Sequence, residues 1–524
     1  MRKQLRSKRT AEATLWGLKG HSGYSVGRVS KGILPLSAVT PGPFRFWIFV
    51  KNLNPAGPAQ LYAQHIRCHL CHFLPPSQFV IIMAAYIAAD IPPARVGDSL
   101  SDVDTPAALL DMDAVDDNIL LACALVREAA TARGVPVPTL RPHFKAHKCT
   151  QLAQRQIDLS GGMTTGVCCQ KVCEAEACVA AGITDVYVCN QVVAPSKVAR
   201  LVALAAGGAK VGIAVDSEDN VRALSAAASA AQCTLRVLVE LEVGCLRCGV
   251  TSHGALVALA QLITALPALT FGGIHAYNGY AQHTRTHEGR VAAAEGVARD
   301  TRAAVAALAA EGVACPLVTG GGSGTFVLDA GLGALGELQA GSYVLTECNY
   351  GRNLDEAGAQ LWTEWAHGLT LLATVCSRRE GSWVVVDAGL KAQSTDCGPP
   401  VVLATAAEYA SACAGAAGGA ASGAAAAGAA GSGGRYRPLR VGPGPSYRYE
   451  SSVGALTVRG VSDEHTTLIP SPGEQLPEAG RVGEKLVLLF GHCDPGVNHF
   501  DWLVAHRKGK VEGLWRLTSR SPGI

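Results

Sequence analysis

From about residue 135 the chain repeats one unit: a short apolar or β-branched run, then an Ala/Leu-rich stretch. The runs are "VPTLRPHFKA", "MTTGVCC", "DVYVCN", "KVGIAV", "LRVLVELEV", "FGGIHAYN", "PLVTGGG" and "ELQAGSYVL". Between them lie stretches such as "KVCEAEACVAAG", "PSKVARLVALAAG" and "HGALVALAQLITAL". Runs this apolar suit strands covered on both faces, and helices between them supply the cover. Eight such units over about 210 residues fit a (β/α)8 barrel in size and count. An open doubly wound sheet is the alternative. It would usually carry a glycine fingerprint after its first strand, where this chain has "HFKAHK".

The rhythm assigns residues 100–354 to an α/β barrel. Beyond about residue 355 helical spacing stops, and "GLTLLATVCSR", "SWVVVDAG", "ALTVRGVS", "KLVLLFGH" and "HFDWLVAHR" read as strands. Residues 355–520 are therefore expected to form a β-rich domain. Ala406–Gly434 is nearly pure Ala, Gly and Ser with one charge, Glu408, and reads as a flexible insert. The first 89 residues carry eleven Lys/Arg against a single acid, Glu12. That composition suits a transit peptide or an unused upstream extension, with Met83 as a reasonable internal start. It also leaves the body mildly acidic, without the basic footprint of a nucleic-acid binder.

No run is long enough to span a bilayer as a helix. Eighteen scattered cysteines in a chain of 524 residues suggest reduced thiols and an intracellular protein, cytoplasmic or organellar. "CHLCH" (Cys68–His72) has haem-attachment spacing but stands alone in the leader. "CLRC" (Cys245–Cys248) lacks a second pair at zinc spacing and reads as two core cysteines.

In an α/β barrel the chemistry sits at the C-terminal ends of the strands. The first end, "RPHFKAHK" (Arg141–Lys148), gives His143, Lys145 and His147; the fifth gives Glu240, Glu242 and Arg247. The sixth gives His275, Tyr277 and, in its loop, His283. The seventh gives Thr319 and the glycines of "TGGGSGT", and the eighth Gly341, Ser342 and Tyr343. Two neighbouring Gly/Ser/Thr loops can cradle a phosphate on exposed amides. A lysine at the same mouth completes what pyridoxal phosphate needs, an amine for its aldehyde and an anchor for its phosphate.

These motifs, with "TPAALLDMDAVDDNI", "VELEVGCLRCGV", "HAYNGYAQH", "GSYVLTECNYG" and the late "HCDPGVNHFDWLV", resemble the D-threonine aldolase / D-serine dehydratase family. Those are alanine-racemase-like (fold type III) pyridoxal phosphate enzymes with an active-site metal. The resemblance runs from about Thr105 to Trp515, interrupted only by the Ala/Gly insert. It implies Lys145 as the lysine that binds the cofactor aldehyde, and Thr319, Gly341 and Ser342 around the phosphate. It places Tyr277 beside the cofactor and Arg247 near a ring oxygen. The basic neighbours of Lys145 are expected to shape an anionic pocket.

In "GHCDPGVN" (Gly491–Asn498), His492 and Asp494 alternate along what reads as an extended segment. An imidazole with a carboxylate suits Mn²⁺ or Mg²⁺ more than Zn²⁺. In the dehydratase branch the second position is cysteine, so Asp494 points to the aldolase branch. The resemblance thus implies cleavage of D-β-hydroxy-α-amino acids to glycine and an aldehyde, with His283 as the base on the hydroxyl proton. Dehydration of the same class of substrate, and a non-catalytic cofactor carrier, are the alternatives. A homodimer is expected by the same analogy.

Overall fold

The structure, a computed structural model, describes residues 91–360, 365–415 and 452–520. The basic leader, the Cys68–His72 motif and the rest of the Ala/Gly insert lie outside the described residues. Strand β1 (Ala107–Asp111) comes first. The barrel strands follow: β2 (Thr139–Leu140), β3 (Val167–Cys169), β4 (Asp185–Val188), β5 (Lys210–Val215), β6 (Leu235–Leu241), β7 (Leu269–Ala276), β8 (Val318–Gly320) and β9 (Glu337–Leu338).

All neighbours in this sheet are parallel, in the order β2-β9-β8-β7-β6-β5-β4-β3. Parallel bridges at Leu140–Thr164 and His143–Cys168 join its two ends, so the expected eight-stranded barrel closes. Helices cover it because each buries one stripe; Val221, Leu224 and Ala228 of Glu218–Ala230 are fully buried, for example. The short first and last strands leave most of "RPHFKAHK" and "AGSYVL" as loop and 3-10 turn, free to reach into the barrel mouth.

The second sheet has nine strands: β1 with β10 (Leu369–Arg379), β11 (Trp383–Val386), β12 (Val401–Thr405), β13 (Leu456–Val461), β14 (Thr466–Pro470), β15 (Lys485–Leu489), β16 (Trp502–Arg507) and β17 (Lys510–Arg516). The β-rich domain expected over 355–520 is completed from the other end of the chain. β1, buried at all five positions, lies between β10 (antiparallel) and β16 (parallel). Asp111 ends β1 and caps helix α1 (Met112–Ala132) by accepting from the amides of Asp113 and Ala114. A strand and a helix of the two domains are thus joined without a linker.

The Ala/Gly insert is not wholly loop. Its first ten residues, Ala406–Gly415, form a helix that buries Tyr409 and Cys413. Thr405 and Glu408 make a capping box: Thr405 Oγ1 accepts from Glu408 N at 3.2 Å, and Glu408 Oε2 accepts from Thr405 N at 3.0 Å. Composition hid this local signal.

Among the described residues no helix is long and apolar enough to cross a membrane. All sixteen described cysteines are free, Cys245 and Cys248 partly exposed among them.

Candidate active site

The first barrel strand ends in a 3-10 turn, Phe144–Ala146, started by His143, whose Nδ1 accepts from Lys145 N. Phe144 and Ala146 are buried, so the residue between them is turned toward the mouth. The Lys145 side chain stays 39% exposed, and its Nζ meets Asp494 Oδ2 at 2.5 Å. Burial opposes the ammonium, but Asp494 outweighs it and raises the lysine above its usual range. In turn, Asp494 would be raised by burial; Lys145 and His492 overcome this and hold it at about 2. This ion pair joins the barrel to the β-rich domain.

The other basic residues of the motif serve the scaffold instead of forming an anionic pocket. Arg141 is buried against Glu337 and Asp185, each at 2.8 Å. Lys148 pairs with buried Glu174 at 3.5 Å. His147 accepts from Cys149 N and binds Gln156, which donates to Tyr343 Oη. Burial pushes His147 down to about 4, so it stays neutral.

Gly341 lies against the lysine turn: a Cβ there would be 2.6 Å from His143 O and 2.9 Å from His143 Cβ. The amides of Gly341 and Ser342 both converge on Ser323 Oγ, at 3.2 and 2.9 Å. Ser323, in "TGGGSGT", thereby ties the loops after β8 and β9 into one cradle; residue-type reasoning singled out the glycines and passed over it. Thr319 is not in that cradle. It sits inside β8 with its hydroxyl donated to Glu337 at 2.8 Å and accepting from Gln339. In a three-residue strand, one step of register decides whether a side chain faces the barrel interior or the loop.

Tyr277 follows β7, with its ring beside the position a Gly322 side chain would take. Burial raises its hydroxyl, against the pull of Lys145 and Arg247. Arg247 stacks over this ring at 5.4 Å, and its guanidinium is 3.7 Å from buried Glu240. Glu242 shapes the Arg247 loop by accepting from the amides of Gly244 and Leu246.

His283 closes the 3-10 turn Tyr280–His283 and packs on Tyr350, ring centroids 5.2 Å apart. Burial lowers its pKa, helped by Arg285, His492 and Lys145. Arg285 donates to Asn349 Oδ1 at 2.7 Å, which fixes the amide so that Nδ2 donates to His283 Nδ1 at 3.0 Å. The neutral ring therefore carries its proton on Nε2, whereas the base role expected of His283 needs a free nitrogen there.

His492 and Asp494 do not sit on an extended segment. His492 stands at the N-cap position of a single helical turn, Cys493–Gly496, without a side-chain capping bond, and Pro495 in the first turn costs no hydrogen bond. Cys493, between His492 and Asp494, is buried with Sγ against Thr346 O. The two expected ligands face different partners. Asp494 is on Lys145, with Ser342 Oγ at 3.4 Å. His492 Nδ1 meets Asp396 Oδ2 at 2.7 Å and Cys397 Sγ at 3.4 Å. Burial opposes a proton on His492, but Glu347, Asp494 and Asp396 together raise it. Glu347 is itself pushed up to about 7 by burial and accepts from Cys493 N. Three carboxyl groups around one imidazole make a place for a cation. Asp396, Cys397, Asn349 and Glu347 were missed in the sequence, because separate loops bring them there.

A closed parallel barrel with a lysine at its mouth, a glycine-rich cradle and a carboxyl–imidazole cluster from a second sheet defines an alanine-racemase-type enzyme with an added β domain. In line with this, residues 110–346 match the family described as alanine racemase, N-terminal domain, and residues 368–506 the putative serine dehydratase domain. D-threonine aldolase of Arthrobacter sp is 37% identical over 82% of this chain and 96% of its own length. The 3-hydroxy-D-aspartate aldolase of Paracoccus denitrificans (strain Pd 1222) is 36% identical over 82% and 96%. The crystal structure of D-threonine aldolase from Filomicrobium marinum aligns with TM-score 0.66 at 33% identity, over 82% of this chain and 99% of that one. The chain belongs to the D-threonine aldolase family.

Proposed function

We propose that this protein cleaves D-threonine and related D-β-hydroxy-α-amino acids to glycine and an aldehyde. The observation that carries the reading is the convergence of Lys145, from the barrel, on Asp494, from the β-rich domain, beside His492 and His283.

The residues fit both implied groups. For pyridoxal phosphate, Lys145 is the amine at the mouth, and the Gly341–Ser342 turn, pressed on the lysine turn, would anchor the phosphate. Tyr277 and Arg247 flank the ring position. Bound there, the cofactor would supply an electron sink for breaking the Cα–Cβ bond. For a divalent ion, His492 and Asp494 would be the donors, and the carboxyl groups of Glu347, Asp494 and Asp396 already surround His492. An ion there would supply Lewis acidity at the substrate hydroxyl. The imidazole–carboxylate pair favours Mn²⁺ or Mg²⁺.

Lys145 and Asp494 exchange roles in this scheme. With its amine engaged by a bound cofactor, Lys145 would no longer neutralise Asp494, whose carboxylate would then be available to a cation. His283 handles the substrate hydroxyl. With Nδ1 held by Asn349 it offers an N–H to the hydroxyl oxygen, and taking up the hydroxyl proton requires that contact to open. Leu246 and Tyr280, 84% and 67% exposed, stand on loops that approach at Gly279 and Cys245. A second copy of the chain would cover them, in keeping with a homodimer.

The test is to incubate the protein with D-threonine, pyridoxal phosphate and Mn²⁺. Glycine and acetaldehyde are expected, lost on chelation and restored by metal. Ammonia and 2-oxobutanoate would establish the dehydratase instead, and no turnover with cofactor bound would leave a carrier.

A further inference from the structure

Asp396 and Cys397 lie in the loop between β11 and β12, far in sequence from His492, yet the two loops are pressed backbone to backbone. A Cβ on Gly491 would sit 2.1 Å from Gly398 O, so only glycine admits the approach. Gly398 has φ +108°, and its own Cβ would meet Arg352 Nη2 at 2.7 Å. Arg352 Nη1 donates to Cys397 O at 2.7 Å and holds the loop in place. The product of this packing is a triangle of donor atoms. His492 Nδ1 to Cys397 Sγ is 3.4 Å, Cys397 Sγ to Asp396 Oδ2 is 3.5 Å, and His492 Nδ1 to Asp396 Oδ2 is 2.7 Å.

A tetrahedral zinc has bonds of about 2.0–2.1 Å to nitrogen and oxygen and about 2.3 Å to sulfur, which makes nitrogen–sulfur and oxygen–sulfur edges about 3.5 Å and the nitrogen–oxygen edge about 3.3 Å. Both edges that involve sulfur are already at zinc length. The third, at 2.7 Å, is a hydrogen bond between imidazole and carboxylate that a metal between them would replace. Asp396 is 49% exposed and His492 20%, so an ion can reach them.

We propose that Asp396 and Cys397 are direct ligands of this chain's metal centre together with His492, and that the thiolate shifts its preference from Mn²⁺ toward Zn²⁺. The proposal rests on the reading that His492 holds a metal; the donor atoms that lie together with His492 are those of Asp396 and Cys397, within 4.8 Å of one another, while Asp494 faces Lys145. Its chemistry is that of a soft ligand: thiolate gains more from Zn²⁺ than from Mn²⁺, while imidazole and carboxylate serve either.

The test is zinc-edge X-ray absorption on the full-length, cofactor-loaded protein reconstituted with Zn²⁺. One sulfur at about 2.3 Å is expected. Cys397→Ser should remove it, and Cys493→Ser, the neighbouring thiol, should not. Zn²⁺ affinity in Cys397→Ser should fall at least about tenfold with Mn²⁺ affinity nearly unchanged. A shell of nitrogen and oxygen alone, sulfur that survives Cys397→Ser, or a parent protein that takes up no Zn²⁺ would each overturn the proposal. The two readings separate cleanly. A sulfur-containing shell without cleavage of any D-β-hydroxy-amino acid removes the aldolase and keeps this site. Metal-dependent cleavage with a light-atom shell does the reverse.

Discussion

Asp494 is the residue on which two ions compete. Asp494→Ala removes the counter-charge of Lys145 and the contact with Ser342 Oγ but leaves the amine and the Gly341–Ser342 turn in place, so the visible absorbance of bound cofactor should persist. Metal-dependent turnover should drop by about a hundredfold or more, as expected for loss of a metal ligand. Spectra and D-threonine kinetics on the same sample check this; cleavage at the parent rate would remove Asp494 from the mechanism. A second prediction concerns the tautomer of His283. Asn349→Asp keeps an acceptor for Arg285 but offers a carboxylate to Nδ1, which moves the ring proton there and frees Nε2. The same carboxylate raises the pKa of His283, so the acid limb of the pH profile of kcat/KM should move upward. An unmoved limb would show that His283 does not set it. At this scale the sequence was legible where a residue type had one reasonable use. Lys145 and the His492–Asp494 pair stood out by type and motif. Thr319 reads from its motif as a loop residue, whereas the closed sheet holds it inside β8 with its hydroxyl on Glu337, and Asn349 was invisible because its partners, Arg285 and His283, come from another loop.

The turns that carry the site are short, and they are held by glycine and by caps. Gly341→Ala would put a methyl group 2.6 Å from His143 O, into backbone that cannot yield without moving Lys145. Cofactor affinity should fall at least about tenfold, a cost of about 1.4 kcal/mol, while far-UV circular dichroism stays unchanged; titration with pyridoxal phosphate measures it. The helix Ala406–Gly415 offers a contrasting case. Thr405→Ala removes one half of its capping box and should cost about 1 kcal/mol of stability with turnover unaffected. Thermal melting and D-threonine kinetics together distinguish this from damage to the site. Both elements expose a limit of reading by composition. The Ala/Gly-rich insert concealed a capping box, and alternation in "HCDPG" concealed a helical turn that Pro495 permits.

Across the whole molecule, buried titratable groups tie stability to pH in opposite senses. Asp329 is buried with its carboxyl near the Thr325 hydroxyl, and burial pushes it up to about 7. The folded chain therefore keeps a proton that the unfolded chain releases near pH 4. The stability from this group is complete below that value and is lost as pH rises through about 7. His147 and His367, both lowered to about 4 by burial, contribute above pH 6.5 and lose their share as pH falls toward 4. Asp329→Asn removes the first dependence and leaves the second. The melting temperature of the variant relative to the parent should thus climb between pH 4 and 7, and a flat difference would show that Asp329 is ionised in the fold.

The place of β1 also bears on how the chain is made. Its partners are β10 and β16, so a strand finished early in synthesis, with every side chain apolar or destined for burial, waits for Leu369–Arg379 and then for Trp502–Arg507 to emerge. Such non-local pairing is slow, and an unpaired apolar edge invites association with other chains. The barrel can assemble in the meantime, since α1 follows Asp111 at once and packs on it. Loss of the chain from Trp502 onward, β16 with it, would therefore strand a segment near the beginning, and the damage would appear as aggregation of nascent protein more than as a missing edge on a folded one.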